Sequence, residues 1–456
     1  MEDTYQVASL LGCPEDIRHL ILAYLSQADL RSICLVHRHV HTLAELYLYS
    51  EIHFAWQESQ PHPITSLLRS ILRRPQLATY IRRVMLVGAS FYMPQYQGKA
   101  PKIPVSEPEL EEPLAFVAKT TVSYRKTWSE ALQNGTMDAF VAVLLSQPLR
   151  LTHLFIGSDF FKKSQFLGLV LRSTICEALD CGLRLDFGHL ESVSLELYSD
   201  YLRPRNIRNT ADILPLFYLP SVKQISASID NPIVFSWPST HQPSASSLRS
   251  LKLTTIREAY LGQLLMVADQ LRSLHWQWFY SPDYLDRVHT PVIDLVQITT
   301  GVSHVRNTLA ELVISAVSDS GGDPDLPPLT IHGSLSAIAG FDKLRRFTAP
   351  LVFLMGFSPD GTERIEDFLP RSLEFLTITD HLCLHNEYEW EDHEVLSVLR
   401  SWLETFRTST PHLCEVALFL QQTDDNWNQA IRDEFQKLCV RVGVQGKVTK
   451  LLQDLY

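Results

Sequence analysis

Glycine is scarce in this chain, at 18 of 456 residues, and no G-x-G-x-x-G or G-x-x-x-x-G-K-[ST] run occurs. A loop that cradles phosphates needs several glycines close together, so nucleotide binding of that kind has no carrier here. The strand–turn–helix nucleophile pattern G-x-S-x-G and the zinc-protease pattern H-E-x-x-H are missing as well. No apolar run approaches the roughly 18 residues that cross a bilayer; stretches such as Phe140 to Leu145 are short. The seven cysteines (Cys13, Cys34, Cys176, Cys181, Cys383, Cys414 and Cys439) are odd in number and form no C-x-x-C pair. That pattern predicts reduced thiols rather than a disulfide framework. Positive charge is in the minority, 40 Lys and Arg against 51 Asp and Glu for a net charge of −11. Such a surface has no general attraction for nucleic-acid backbones or anionic membranes. The acidic start Met1-Glu2-Asp3, with no apolar segment behind it, predicts no secretory signal. Together these absences predict a non-catalytic protein of the cytoplasm, the nucleus or both, with no cofactor and no nucleic-acid or membrane partner.

What is present falls into two parts, 1–50 and 51–456. The first is helical. Ile17, Leu20, Ile21 and Tyr24-Leu25 recur at three-to-four spacing on a helix that opens after Pro14, where a missing amide costs little. Ser26 stands three residues before Asp29, a signature of a second helix start. Leu30, Ile33, Cys34, Leu35-Val36, Val40, Leu43 and Leu46-Tyr47 carry the apolar pattern onward. Three short helices of this size bury little by themselves and are expected to lean on a neighbour or a partner.

Beyond them, an apolar-x-x-apolar-x-apolar phrase recurs ten times. It reads Ile81-Val84-Leu86, Leu151-Leu154-Ile156, Leu190-Val193-Leu195, Val222-Ile225-Ala227, Leu248-Leu251-Leu253, Leu271-Leu274-Trp276, Leu309-Leu312-Ile314, Leu344-Phe347-Ala349, Leu373-Leu376-Ile378 and Leu413-Val416-Leu418. The first members lie 70, 39, 32, 26, 23, 38, 35, 29 and 40 residues apart. Apart from the first gap, these sit in or somewhat above the roughly 20–29 residues of leucine-rich repeats. Each phrase predicts a short strand whose alternate residues enter a core, followed by a return segment that covers it. One unit cannot hide its own apolar face, so the units must stack. The asparagine that usually ends such a strand is absent, as in Leu248-Arg-Ser-Leu-Lys-Leu-Thr-Thr-Ile256, which predicts an irregular solenoid with uneven return segments. An ordinary α/β domain with variable strand spacing would carry the same triplets. Residues 94–113, with Pro94, Pro101, Pro104, Pro108 and Pro113 among four glutamates, read as an inserted mobile loop without helix or strand. Residues 319–328 read as a shorter loop, and 231–247 as one that packs in part through Val234, Phe235 and Trp237.

The opening residues Cys13-Pro14-Glu15-Asp16-Ile17, Leu20, Leu25, Asp29-Leu30, Leu35-Val36, Arg38 and Leu43 resemble an F-box, with Cys13 where leucine is usual and Val40 where an aromatic is usual. The text that follows, including Leu67-Leu-Arg-Ser-Ile-Leu-Arg-Arg-Pro75 and Leu369-Pro-Arg-Ser-Leu-Glu-Phe-Leu376, is similar to fungal F-box proteins with irregular leucine-rich repeats. The resemblance implies an α/β chain: a three-helix F-box-like domain, then a solenoid with a largely parallel, curved sheet. It further implies a substrate-recognition adaptor, docked on the Skp-type linker of a Skp–cullin–F-box ubiquitin ligase and presenting an unknown protein for ubiquitination. By motif position, Pro14, Ile17, Leu20, Leu30, Leu35 and Val36 would touch the linker. A competing reading keeps the repeats as an interaction scaffold and makes the helical start a cap on the solenoid.

Outward positions on the strands are the candidates for client contact: Glu196 and Tyr198, Lys252 and Thr254, and His275, Gln277 and Phe279. The richest cluster of metal-ligand types runs from Asp380 to Glu394. On a strand, His381, Cys383 and His385 would share one face. Leu382 and Leu384 alternate with them and no known ligand spacing is matched, so no metal site is expected.

Overall fold

The computed structural model describes residues 10–56, 62–88, 101–161, 165–177, 183, 187–196, 209–282, 287–320, 325–421 and 427–450. The chain divides into two compact units, Met1–Glu196 and Leu197–Tyr456.

In the first unit, the three expected helices are α1 (Glu15–Ala23), α2 (Gln27–Cys34) and α3 (Arg38–Leu48). Pro14 precedes the first turn of α1, and the Ser26 hydroxyl accepts the Asp29 amide at 3.2 Å to open α2. Their small common core is Leu22, Leu30 and Ala44, flanked by Leu25, Ile33, Leu43 and Tyr47. Directly after α3 comes β1 (Glu51–Ala55), then α4 (Pro63–Arg73) and β2 (Arg83–Val87). The strands β3 (His153–Gly157) and β4 (Ser192–Glu196) complete the unit, and β1 to β4 pair in parallel and in chain order.

Between β2 and β3 the structure corrects one expectation. Residues 94–100 lie outside the described part, but Glu107–Lys119 is a helix, α5, with Pro113 inside it. A proline there removes the bond to the Glu109 carbonyl, a cost of about 3 kcal/mol. Local devices offset it. Pro108 sits in the first turn, where its amide is not needed. The Glu109 carboxylate takes the Ser106 amide at 2.9 Å and the Thr65 hydroxyl of α4 at 2.8 Å, and Glu112 pairs with Arg73 at 2.7 Å. Pro113 and Val117 are buried. The prolines alone point to a loop; these anchors make the segment from Glu107 a helix.

In the second unit, eight parallel strands follow chain order: β5 (Gln224–Ser228), β6 (Ser250–Thr254), β7 (Ser273–Tyr280), β9 (Glu311–Ser318), β11 (Arg346–Pro350), β12 (Phe375–Thr379), β13 (Glu415–Leu420) and β14 (Gln445–Lys450). A separate parallel pair joins β8 (Val292–Asp294) to β10 (Thr330–His332). The α/β class and its parallel strands therefore agree with the sequence.

All ten phrases land on strands. The last two members of each point inward, as in Leu251 and Leu253 or Leu376 and Ile378, and the first member is buried just ahead of the strand. Pairing starts the same way in repeat after repeat: one carbonyl accepts two successive amides of the next strand. Arg249 O takes the amides of Arg272 and Ser273, Ala310 O those of Arg345 and Arg346, and Arg345 O those of Glu374 and Phe375. Polar side chains just past the strands hold their ends. Asn231 Oδ1 accepts the Arg257 amide at 2.8 Å, and the Asp380 carboxylate accepts the Gln421 amide at 2.7 Å.

Alternation on β6 sets up a direct test. Leu251→Ala removes a wholly buried side chain and is expected to lower unfolding free energy by about 2–5 kcal/mol. Lys252→Ala, one residue on and facing out, should stay within about 0.5 kcal/mol. Urea titration of the two variants checks the register, and equal losses would show that it is wrong.

Candidate functional site

Two surfaces carry the expected interaction residues. On the helical segment, α1 has two apolar faces. Leu22 turns in toward α2 and α3, whereas Ile17, Leu20, Ile21 and Tyr24, the i, i+3, i+4, i+7 stripe, face solvent. Leu35 and Val36, just past the end of α2, are 88% and 75% exposed. Of the six residues expected to touch a linker, Pro14, Ile17, Leu20, Leu35 and Val36 are thus accessible. Leu30 is not. It is 3% exposed at the centre of the three-helix core and serves folding rather than contact. Periodicity could not separate it from its neighbours, because Leu30, Ile33 and Cys34 of α2 turn toward one small core while Leu35 and Val36 just beyond the helix stay exposed. Ile21 and Tyr24 belong to the exposed stripe and were not singled out by motif position.

α3 does something different. Its Glu45 is buried and bonds Arg74, just after α4, at 2.8 Å, while Ser50 O accepts the amides of Arg82 and Arg83 where β2 begins. The third helix is therefore tied to the first repeat, and α1 and α2 stand on it.

Along the sheet face, Lys252 pairs in register with His275, and both are half-buried, as are Thr254 and Gln277. His275 Nε2 lies 3.5 Å from a Glu311 oxygen that also accepts the Ser273 hydroxyl at 2.6 Å. These four positions share the outward face as expected. Phe279 does not. Strict alternation on β7 stops after Gln277, and Trp278, Phe279 and Tyr280 are all buried. The returning chain covers this end: the His289 ring stacks 5.2 Å from Tyr280 and sits 5.7 Å from Phe279, which is 3% exposed. Glu196 ends β4, and Tyr198 lies outside the described residues.

The stretch from Asp380 to Glu391 is not a strand. β12 ends at Thr379 and the chain turns, with Leu382 at φ +72°. His381 and His385 are buried apart from one another's chemistry: His381 Nδ1 bonds the Thr379 hydroxyl and His385 Nδ1 bonds the Pro327 carbonyl at 3.1 Å. The shared face assumed for His381, Cys383 and His385 does not form. Among the described residues, no group of three or more His, Cys, Asp or Glu side chains is placed to hold a metal. Burial also pushes the Cys383 thiol up to about 12 and Cys176 up to about 11, which keeps both protonated and unreactive. The acidic residues beyond do open a helix, Asp392–Leu403, with Val395, Leu396, Leu399 and Trp402 buried as expected.

A sequence model of the leucine-rich repeat domain matches residues 57–455. The chain belongs to that family. No curated protein matches it. The repeat domain covers every strand from β2 on, and repeat domains of this kind are suited to protein–protein interaction through the exposed strand positions. Its matched span begins beyond α1 to α3. No described helix of the repeat domain or of the segment before it is long and apolar enough to cross a membrane.

Burial gives the repeat domain a definite pH response. Desolvation pulls His62 and His381 down to about 4 from the ordinary 6.5, and, with the Arg257 charge adding to burial, His289 down to about 3. Each ring folds neutral, so its contribution is complete above 6.5 and is lost as pH falls toward those values, at about 1.4 kcal/mol per pH unit per ring. The thermal midpoint should fall steadily from about pH 7 to about pH 5. A flat profile would show that water reaches these rings.

Proposed function

We propose that the chain is the substrate-recognition adaptor of a Skp–cullin–F-box ubiquitin ligase. The helical segment docks on the Skp-type linker and the repeat domain binds the protein to be ubiquitinated. What supports this reading is the unpartnered apolar surface of α1 and the end of α2: Ile17, Leu20, Ile21, Tyr24, Leu35 and Val36 within twenty residues, all exposed. Fully burying one such side chain is worth about 1.5–3 kcal/mol. Exposed apolar residues concentrated in this way mark an interface. The F-box-like order of Pro14, Ile17, Leu20, Leu35 and Val36 along the sequence gives that interface its partner.

An adaptor of this kind performs no chemistry. It acts by holding a client's lysines near the charged conjugating enzyme, which raises their effective concentration. In keeping with that role, the candidate client face carries half-buried, mixed polar side chains, Lys252, Thr254, His275 and Gln277.

A second reading has its own observation. The Glu45–Arg74 pair and the Ser50 carbonyl bind α3 to the first repeat, as a cap would. On that reading the protein is an interaction scaffold and its helical start only closes the solenoid.

Leu35→Asp combined with Val36→Asp separates the two. Both residues are exposed, so the melting temperature should hold, while association of the purified chain with a Skp-type linker should weaken by at least about 30-fold. Leu30→Ala is the contrast, lowering stability by about 2–5 kcal/mol through the core it leaves. Unchanged linker binding in the double variant, or no binding by the parent chain, would leave the scaffold reading standing.

A further inference from the structure

A cavity of about 150 Å³ opens in the second unit where the 380–391 turn meets the starts of two helices, Asp392–Leu403 and Gln429–Val442. Its walls are aromatic, aliphatic and acidic: Tyr388, Trp390 and Trp427 stand among leucine, isoleucine and valine side chains, with Asp380 and Asp392 supplying carboxylates and Leu384 at the rim. Among the described residues, no lysine, arginine or histidine lines it. We infer that this cavity receives a basic side chain, an arginine or lysine, presented by a protein partner.

Charge and shape both point that way. A cavity of about this volume accommodates a benzene-sized group, and a guanidinium with its adjoining methylenes is of that order. Aromatic faces attract cations and pack against the apolar stem, while carboxylates bond the head. The two acids are held in place by the backbone. Asp380 accepts the Gln421 amide at 2.7 Å and Asp392 Oδ2 accepts the Trp427 amide. Trp390 is fixed by its indole N–H, which donates to Gly356 O at 2.9 Å. The Tyr388 hydroxyl has no hydrogen-bond partner among the described residues, and burial, with the Asp380 and Asp392 charges beside it, raises its pKa, so it stays a neutral donor and acceptor. Leu382 and Trp427, both on the segments that build the cavity, hold positive φ angles of 72° and 53°. Conformations that side chains disfavour persist where surrounding structure enforces them, and they gather at ligand sites.

Read along the chain, the same stretch stands out for its metal-ligand residue types, though without a matching ligand spacing. In the fold His381 and His385 turn into the core, while Tyr388, Trp390, Asp380 and Asp392 line the cavity. For the identity of the occupant as part of a client protein, the inference rests on the adaptor reading. The charge preference of the cavity does not, and it is measured on the chain alone.

Isothermal titration of the full chain with N-acetyl-arginine methylamide should show saturable binding. The citrulline analogue, equal in shape but uncharged, should bind at least about 10-fold more weakly, a difference of about 1.4 kcal/mol. Asp392→Asn keeps the oxygen that accepts the Trp427 amide and removes the charge; it should weaken the arginine probe by a similar factor with the melting temperature unchanged. Should that variant unfold, Leu384→Arg places a competing cation at the exposed rim and should block the probe without touching the walls. Equal binding of the arginine and citrulline probes overturns the inference, as does tighter binding of N-acetyl-norleucine methylamide, or no binding of any probe. Loss of linker binding with arginine selectivity intact would count against the ligase role only.

Discussion

A strand with its return segment exposes an apolar face that nothing within the unit can cover, and every other feature of this chain answers to that fact. Val84 and Leu86 on β2, or Leu312 and Ile314 on β9, are dry only because the preceding and following strands lie beside them in register. The leading residue of each phrase, such as Ile81 or Leu309, adds a third buried anchor before the strand begins. The carbonyl that accepts two amides of the next strand then fixes where pairing starts. With the start fixed, a one-residue slip would send a whole apolar set into water, so register is strongly specified without an asparagine ladder. Return segments are left free to vary in length and type, which is why helices, 3-10 turns and long irregular loops all serve between strands.

Because the inward set is fixed by stacking, the outward set is free for recognition. Lys252, His275 and Gln277 are presented side by side by strands whose spacing is about 4.8 Å. Glu311, one strand on, ties Ser273 and His275 together. The same logic shapes the end of the array. β14 pairs with β13 and reads Gln-Gly-Lys-Val-Thr-Lys, with Lys447 bonded to Glu415 and Lys450 exposed. Charged residues on a terminal strand discourage pairing with another chain.

How much of this the residues disclosed depends on whether a signal is local. The ten phrases were legible because a buried triplet at fixed spacing needs nothing but the strand itself. β1 was missed because Ile52 and Phe54 follow a helical stretch without a break, and β14 because its exposed, polar text has no buried triplet. β8 and β10 are three residues each and lie far apart in sequence, so nothing nearby announces their pairing. The helix around Pro113 depends on Thr65 and Arg73, some forty residues earlier. Phe279 is covered by His289 only after the chain has turned back. In each case the deciding partner stands outside the window in which periodicity is read. Within the candidate surfaces the same limit applies: the α1 stripe was visible, but which of its two apolar faces meets α3 was not.

That last distinction bears on how the helical segment can serve two ends at once. Capping and docking would compete for the same residues only if one helix did both, and the contacts to the first repeat lie on α3 whereas the exposed stripe lies on α1. α3 contributes Val40, Ala44 and Glu45 inward and meets the first repeat through Arg74. α1 contributes Leu22 to the small core and leaves Ile17, Leu20, Ile21 and Tyr24 outside. A helix that only completed a cap would gain from turning its most regular apolar stripe inward, since each buried side chain of that size stabilises by about 1.5–3 kcal/mol. The opposite orientation leaves that stabilisation unrealised in the isolated chain and available to a partner. On the adaptor reading, α3 alone closes the first repeat, and the apolar surface on α1 and at the end of α2 is what a second subunit would bury.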